Sequence, residues 1–198
     1  MQIVGNVHDR VADAWLRVRF RHAAGIYTDM TSRERLQLFQ LSRSAPDYPF
    51  VEIGSYLGAS SAFIAEGIKR REKPTTLFCV DTWLNDAMSE GPRDTYADFV
   101  RNMSPYGDRV TPLRGRSTEV AQTFAQPIGL LFLDGDHSYE AMNDDVTAWL
   151  TKVAPGGVVI CHDVGWAEGV QRVVRESIES VTMDSARLPN LYWARVRS

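Results

Sequence analysis

The sequence predicts an α/β fold, a doubly wound and mostly parallel sheet flanked by helices, with an antiparallel strand near the C-terminus. Three observations predict it. From residue 47 onward, short apolar runs alternate with stretches of helical periodicity, the pattern of a parallel sheet covered on both faces. Those runs are near-continuously apolar, as strands buried from both sides are. Acidic and glycine residues gather where the runs stop, and such folds bind ligands outside the carboxyl ends of their strands.

The elements follow in order. "YPFVEIGSY" is a short apolar strand running into Gly54, and "SSAFIAEGIKRRE" sets Phe63, Ile64 and Ile68 at helical spacing. "TTLFCVDTW" is a second buried strand, and "PRDTYADFVRNMSPYG" reads as a helix with proline at its start and glycine at its end. "RVTPLRG" is a weaker third strand whose Pro112 suits a sheet edge. "STEVAQTF" is a short helix opened by Ser117, and "IGLLFLDGD" is the fourth strand. The helix after it carries Tyr139, Met142, Val146, Trp149, Leu150 and Val153 on one stripe. "APGG" stops that helix, "VVICHDV" is a fifth strand, and "EGVQRVVRESIES" a further helix. "VTMDSARL" and "LYWARVRS" flank a Pro-Asn turn and read as a hairpin, which reverses one strand. Residues 1–46 are helical in tendency and read as an N-terminal cover of the same domain. No repeat, low-complexity tract or linker divides the chain.

Composition narrows the function. A chain of 198 residues suits one domain with a real core. A formal net charge of -3 gives no electrostatic reason to expect nucleic acid or an anionic membrane as partner. The basic run Lys69-Arg70-Arg71 falls at a helix end, where cations complement the dipole. Cys79 and Cys161 lie inside apolar strands, which suits buried free thiols in a reducing compartment and not a disulfide framework. "MQIVGNVHDR" lacks a charged-then-apolar leader, and no apolar run is long enough to span a bilayer. A cytoplasmic protein is expected, with a homo-oligomer left open.

Five strand-end groups carry the candidate chemistry: Glu52 with Gly54, Asp81, Gly115, Asp134, and His162 with Asp163. Gly54 and Gly58 allow a ligand to approach the backbone closely, and the helix that follows presents free N–H groups. The dinucleotide fingerprint G-x-G-x-x-G is absent because Tyr56 stands at its second glycine. A tight strand–helix connection would account for the same glycines, so the turn decides nothing alone.

Taken together, "VEIGSYLGASS", "VDTW", "LDGDHSYEAMNDDVTAWL" and "APGGVVICHDV" resemble the class I S-adenosylmethionine-dependent methyltransferases. The likeness is closest to the branch of macrolide-sugar and macrocin O-methyltransferases and cephalosporin-hydroxylase-like proteins, over roughly residues 47 to 175. It implies a Rossmann-like seven-stranded sheet with an antiparallel last strand, residues 47–198 forming the cofactor-binding domain. The turn with Glu52, Gly54, Ser55, Tyr56, Gly58 and Ser60 would then wrap the amino-acid part of S-adenosylmethionine. Asp81, with Trp83 beside it, would accept hydrogen bonds from both ribose hydroxyls, as a two-oxygen carboxylate can; a turn cap is the other account. Ser117, next to Arg116, falls where the family contacts adenine, and helix capping explains it equally well.

The resemblance also assigns the acidic stretch after the fourth strand. Asp134, His162 and Asp163 stand where metal-dependent members bind Mg²⁺, but with His162 in place of an acid. Mg²⁺ prefers oxygen and imidazole suits later divalent metals, so metal identity (Mg²⁺ or Mn²⁺) and metal binding both stay open. His137, three residues after Asp134, has the spacing these sugar methyltransferases use for a general base. Asp136, Ser138 and Glu140 read as cap and first-turn residues, and Asn143, Asp144 and Asp145 as a solvated helix flank. Trp83, Tyr56, Trp15, Phe20 and Tyr27 are candidates for the acceptor-pocket wall, or simply core.

The expected activity is S-adenosylmethionine-dependent O-methylation of a small-molecule hydroxyl, on a sugar or natural product, assisted by a divalent metal acting as Lewis acid on the acceptor hydroxyl, with His137 and Asp134 at the reacting centre. A nicotinamide-dependent oxidoreductase shares the sheet, but the missing glycine and the His-Asp strand end count against it. A non-catalytic cofactor-binding protein would be expected to lose Asp134, His137 or Asp163.

Overall fold

A computed structural model describes residues 7–84 and 92–197, with side chains from Val11 onward. The first six residues, on which the reading of a missing leader largely rests, lie outside that range.

Helices α1 (Val7–Arg19) and α2 (Ser32–Ser44) precede the sheet. There follow β1 (Phe50–Ile53), α3 (Ala59–Ile68), β2 (Leu77–Asp81), α4 (Tyr96–Met103), β3 (Val110–Arg114), α5 (Ser117–Thr123) and β4 (Ile128–Leu133). The chain continues through α6 (Tyr139–Trp149), β5 (Val153–His162), α7 (Glu168–Val173), β6 (Thr182–Leu188) and β7 (Leu191–Val196). The seven strands form one sheet in the order β3-β2-β1-β4-β5-β7-β6. Pairing is parallel from β3 to β5, and β7 runs antiparallel to both β5 and β6. This is the Rossmann-like arrangement expected, with Pro112 on the edge strand β3.

Alternate residues of each central strand face opposite helix layers. Phe50, Leu130, Phe132 and Ile160 pack on one side with Phe20 just after α1, Leu38 of α2 and Phe63 of α3. Val51, Leu131, Leu133 and Val159 pack on the other with Val146 and Trp149 of α6 and Val170 of α7. Burial on both faces is why the strands read as unbroken apolar runs. α2 begins with a capping box, in which the Thr31 side chain accepts from Glu34 N while Glu34 accepts from Thr31 N.

The sequence stopped α6 at "APGG", and the structure places those residues inside β5. Ile128 pairs with Val153 but Leu130 pairs with Val158, so the segment bulges from the strand. Pro155 offers no N–H and Gly156 sits at φ 76, which a bulge tolerates and a regular strand does not. The strand order reverses direction between β1 and β4, and the polar ends of β1, β2, β4 and β5 meet at that switch point.

Candidate active site

A crevice of about 870 Å³ opens there, bordered by the turn after β1, by Asp81 and by Asp134, His137, His162 and Asp163. Ligand pockets commonly hold roughly 300–1,000 Å³, so a nucleoside-sized cofactor and part of an acceptor fit.

The glycine turn is built by close approach. Gly54 has φ 82, and a Cβ there would run into the backbone carbonyl of Asp134. Gly58 caps α3 at φ 87, its Cβ position pressed to 2.7 Å from Met103 Cε. Tyr56 takes a left-handed φ of 45 between them. Glu52, expected at the cofactor, is fully buried beneath the turn and does not border the crevice. Its Oε2 accepts from Ser55 Oγ at 2.9 Å and from Ser61 Oγ. Burial, opposed by the Ser60, Ser61 and Ser55 hydroxyls, pushes the Glu52 carboxyl up to about 6. Glu52 therefore shapes the turn from below, while Ser55 and Ser60 reach the crevice wall.

Asp81 does the same from the side. Its Oδ2 accepts from Ser55 N and Tyr56 N, each at 2.8 Å, and its Oδ1 accepts from Trp83 N at 2.7 Å. Three of about four acceptor positions on a carboxylate are thereby used. One, on Oδ1, is left, so a ribose would find one acceptor on Asp81 and not the two expected. Trp83 is buried, and its Nε1 donates to Tyr56 O at 2.9 Å, tying β2 to the turn. Its ring lies 4.7 Å from Phe99 and 5.1 Å from Tyr96, so it props the wall more than it lines it.

At the opposite end stand Arg116, Ser117, Asp144 and Asp145. Ser117 is the first residue of α5 and does not cap it. Its hydroxyl donates to Asp145 Oδ1 and accepts from Trp149 Nε1 at 3.2 Å. Asp145, read as solvated flank, is half-buried, and burial pushes its carboxyl up to about 6. Asp144 is exposed as expected. Ser138 caps α6 by accepting from Ala141 N at 3.3 Å, and Asp136 accepts from Ser138 N at 2.7 Å.

The acidic and histidine residues converge. His137 Nε2 lies 2.7 Å from Asp163 Oδ2, and the hydrogen bond raises the imidazole's pKa above its ordinary value against the opposing effect of burial. His162 Nδ1 lies 3.1 Å from Asp134 Oδ1 and 3.3 Å from Asp163 Oδ2, and its Nε2 lies 3.8 Å from Glu34 Oε2. Burial alone would lower the His162 pKa, but Asp134, Asp163 and Glu34 raise it well above the usual imidazole range. Asp134 is pushed up by burial, partly offset by His162. Burial would raise Asp163 too, yet its bonds to both histidines hold it well below the usual carboxylate range.

Three contributors escaped the sequence reading. Trp166 Nε1 donates to Asp163 Oδ1 at 2.7 Å while its ring stands 4.9 Å from that of His137 at the crevice mouth. Asn190 Nδ2, from the β6–β7 turn, donates to the same Oδ1 at 2.8 Å. Glu34 arrives from α2, where its motif announces only a cap. The D-x-x-W spacing of Asp163 and Trp166 was the one signal available. Among the aromatic candidates, Tyr27 and Tyr56 border the crevice, whereas Phe20 is core and Trp15 packs edge-on against it at 5.6 Å.

The three atoms expected to hold a divalent ion lie within 4.8 Å of one another. Their hydrogen bonding does not suit Mg²⁺, because Nδ1 of His162 stands between two carboxylate oxygens as a donor and Asp163 is already shared among four nitrogens.

A reversed last strand and a glycine-turned crevice at the switch point define the class I S-adenosylmethionine-dependent methyltransferase architecture. The chain belongs to the methyltransferase domain family, whose profile matches residues 51–164. The uncharacterized protein y4gI of Sinorhizobium fredii is 28% identical over 115 residues, 57% of this chain, and the chain spans 13% of that protein's length. Among solved structures, the O-methyltransferase NovP superposes with a TM-score of 0.74 at 17% identity, over 88% of this chain and 84% of its own. TomG from Streptomyces achromogenes, an O-methyltransferase of tomaymycin synthesis solved with S-adenosylmethionine, gives 0.67 at 17% identity, over 99% and 92%. At such identities the likeness establishes the fold.

Proposed function

We propose that the protein is an S-adenosylmethionine-dependent O-methyltransferase acting on a hydroxyl of a small molecule, a sugar or another natural product. The observation that carries this is His137 beside Asp163, facing the crevice that the glycine turn borders. When bound, S-adenosylmethionine supplies an electrophilic methyl group on sulfonium. The turn from Gly54 to Gly58 would hold its amino-acid end, Asp81 Oδ1 one ribose hydroxyl, and the Arg116–Ser117 region with Asp145 its adenine.

Asp163 is an acceptor toward His137, so Nε2 of that ring carries the hydrogen. Nδ1 is then the atom that receives the acceptor's hydroxyl proton as the oxygen–carbon bond forms. Asp163 fixes the tautomer and stabilises the charge that the imidazole gains. Asp134 borders the reacting centre and braces His162. Holding the acceptor oxygen in line supplies much of the rate in such a transfer. None of these roles calls for a divalent ion.

The helices before β1 serve as a cover of the same domain, because Leu16, Phe20 and Leu38 share one core with Phe63 and Phe132. Free, buried Cys79 and Cys161 support a reducing compartment such as the cytoplasm. Among the described residues no helix is long and apolar enough to cross a membrane.

The test is label transfer from methyl-labelled S-adenosylmethionine to a panel of sugar and phenolic hydroxyl compounds. Label on at least one acceptor, lost in His137→Ala, is the expected result; labelling that His137→Ala leaves at the wild-type rate would refute the assignment of the base.

A further inference from the structure

We infer that Asp134, His162 and Asp163 form a metal-free, hydrogen-bonded centre in which N–H donors fill the positions a divalent cation would need. The inference goes beyond the methyl-transfer reading and does not depend on it.

Two countings carry it. The first is of lone pairs. An ionised carboxylate has about four acceptor positions. On Asp163, Oδ1 receives Trp166 Nε1 at 2.7 Å and Asn190 Nδ2 at 2.8 Å. Oδ2 receives His137 Nε2 at 2.7 Å and faces His162 Nδ1 at 3.3 Å. All four positions face nitrogens from four separate residues, two of them directed hydrogen bonds on Oδ1 and two imidazole nitrogens within ion-pair distance of Oδ2.

The second is of hydrogens. A nitrogen lone pair aimed at 3.1 Å into Asp134 Oδ1 and 3.3 Å into Asp163 Oδ2 would meet two acceptors, which is repulsive. Nδ1 of His162 therefore carries a hydrogen shared between them, and it would have to give up that proton, and both of its bonds, before it could ligate. The ring's other nitrogen is turned away, 3.8 Å from Glu34 Oε2 and 3.5 Å from Asn190 Nδ2. His162 is buried, so the ring is held from both edges without room to turn outward. Asp163 itself sits at φ 59, a left-handed conformation uncommon outside glycine. Its four partners come from three directions: His137 from the loop after β4, His162 and Trp166 from the end of β5 and the loop after it, and Asn190 from the hairpin turn. They fix this carboxylate toward His137, making Trp166, Asn190 and His162 positioning residues.

The probe is Mn²⁺ alone, titrated into the full chain and followed by the paramagnetic resonance signal of the free ion. The wild type is expected to leave the signal undiminished at equimolar and excess ion. His162→Asp, which exchanges the N–H donor for oxygen ligands, is expected to gain a saturable site. The double variant Trp166→Phe with Asn190→Ala frees Oδ1 of Asp163 and asks the same question should His162→Asp not fold. Saturable Mn²⁺ binding by the wild type, abolished by Asp163→Asn, would overturn the inference. Failure of every folded variant to gain the site would overturn the part given to the N–H donors. Neither outcome reads methyl transfer, so an inactive protein would leave the result intact.

Discussion

His137 Nε2 stands 2.7 Å from Asp163 Oδ2, while Asp163 Oδ1 is held by Trp166 and Asn190. A base oriented by a carboxylate that is itself braced has one tautomer and one direction. That relationship sets the first two predictions.

His137→Ala should lower kcat by about 10²–10⁴, the usual worth of a positioned acid–base group. Cofactor affinity should hardly change if, as proposed, the imidazole serves the acceptor and not the cofactor. Single-turnover rates beside calorimetric affinity separate the two. A variant with near-normal kcat would place the proton's exit elsewhere.

The pH–rate profile should show an acidic limb shifted upward from the ordinary imidazole value. The Asp163 hydrogen bond raises the pKa of His137, and only the neutral ring accepts a proton, so activity is lost as pH falls through that raised value. Asp163→Asn removes the charge that raises it, and the limb should move to lower pH. An unmoved limb would separate Asp163 from the base.

Gly54→Ala should abolish cofactor binding and destabilise the fold. A Cβ would strike the Asp134 carbonyl, and the left-handed backbone at φ 82 costs a non-glycine residue about 1–2 kcal/mol besides. Thermal unfolding and calorimetry together report it; wild-type values in both would show that the turn can relax.

Glu52 makes a prediction about stability. Burial lifts its carboxyl to about 6 in the folded chain, against 4.5 for the free group. The folded state thus binds the proton more tightly, so the contribution is full below 4.5 and is lost as pH rises through about 6. The difference in unfolding free energy between wild type and Glu52→Gln should change across that window. A flat difference would mean that the carboxyl titrates normally.

The strands and the glycine turn were legible because each is a local pattern: apolar runs that stop at Gly54, Asp81, Asp134 and His162. Direction of burial was not. Glu52 alternates with Val51 and Ile53 along β1, and sequence does not say that the turn folds back over it. Asp145 sits among Asn143 and Asp144, yet helix rotation carries it alone against Ser117. Glu34 and Asn190 lie in a cap and a turn, where local chemistry explains them fully and hides their reach across the fold. The cation reading rested on residue types at two strand ends, and the orientation of the His162 ring is a property of packing.

A titration of S-adenosylhomocysteine into the purified chain, run beside Asp81→Ala, is the most direct measurement. One saturable site is expected, weakened roughly tenfold to a hundredfold in the variant by loss of a charged hydrogen-bond partner of about 1.5–3 kcal/mol. No binding of S-adenosylhomocysteine by the wild type, with saturable binding of NAD in its place, would contradict it.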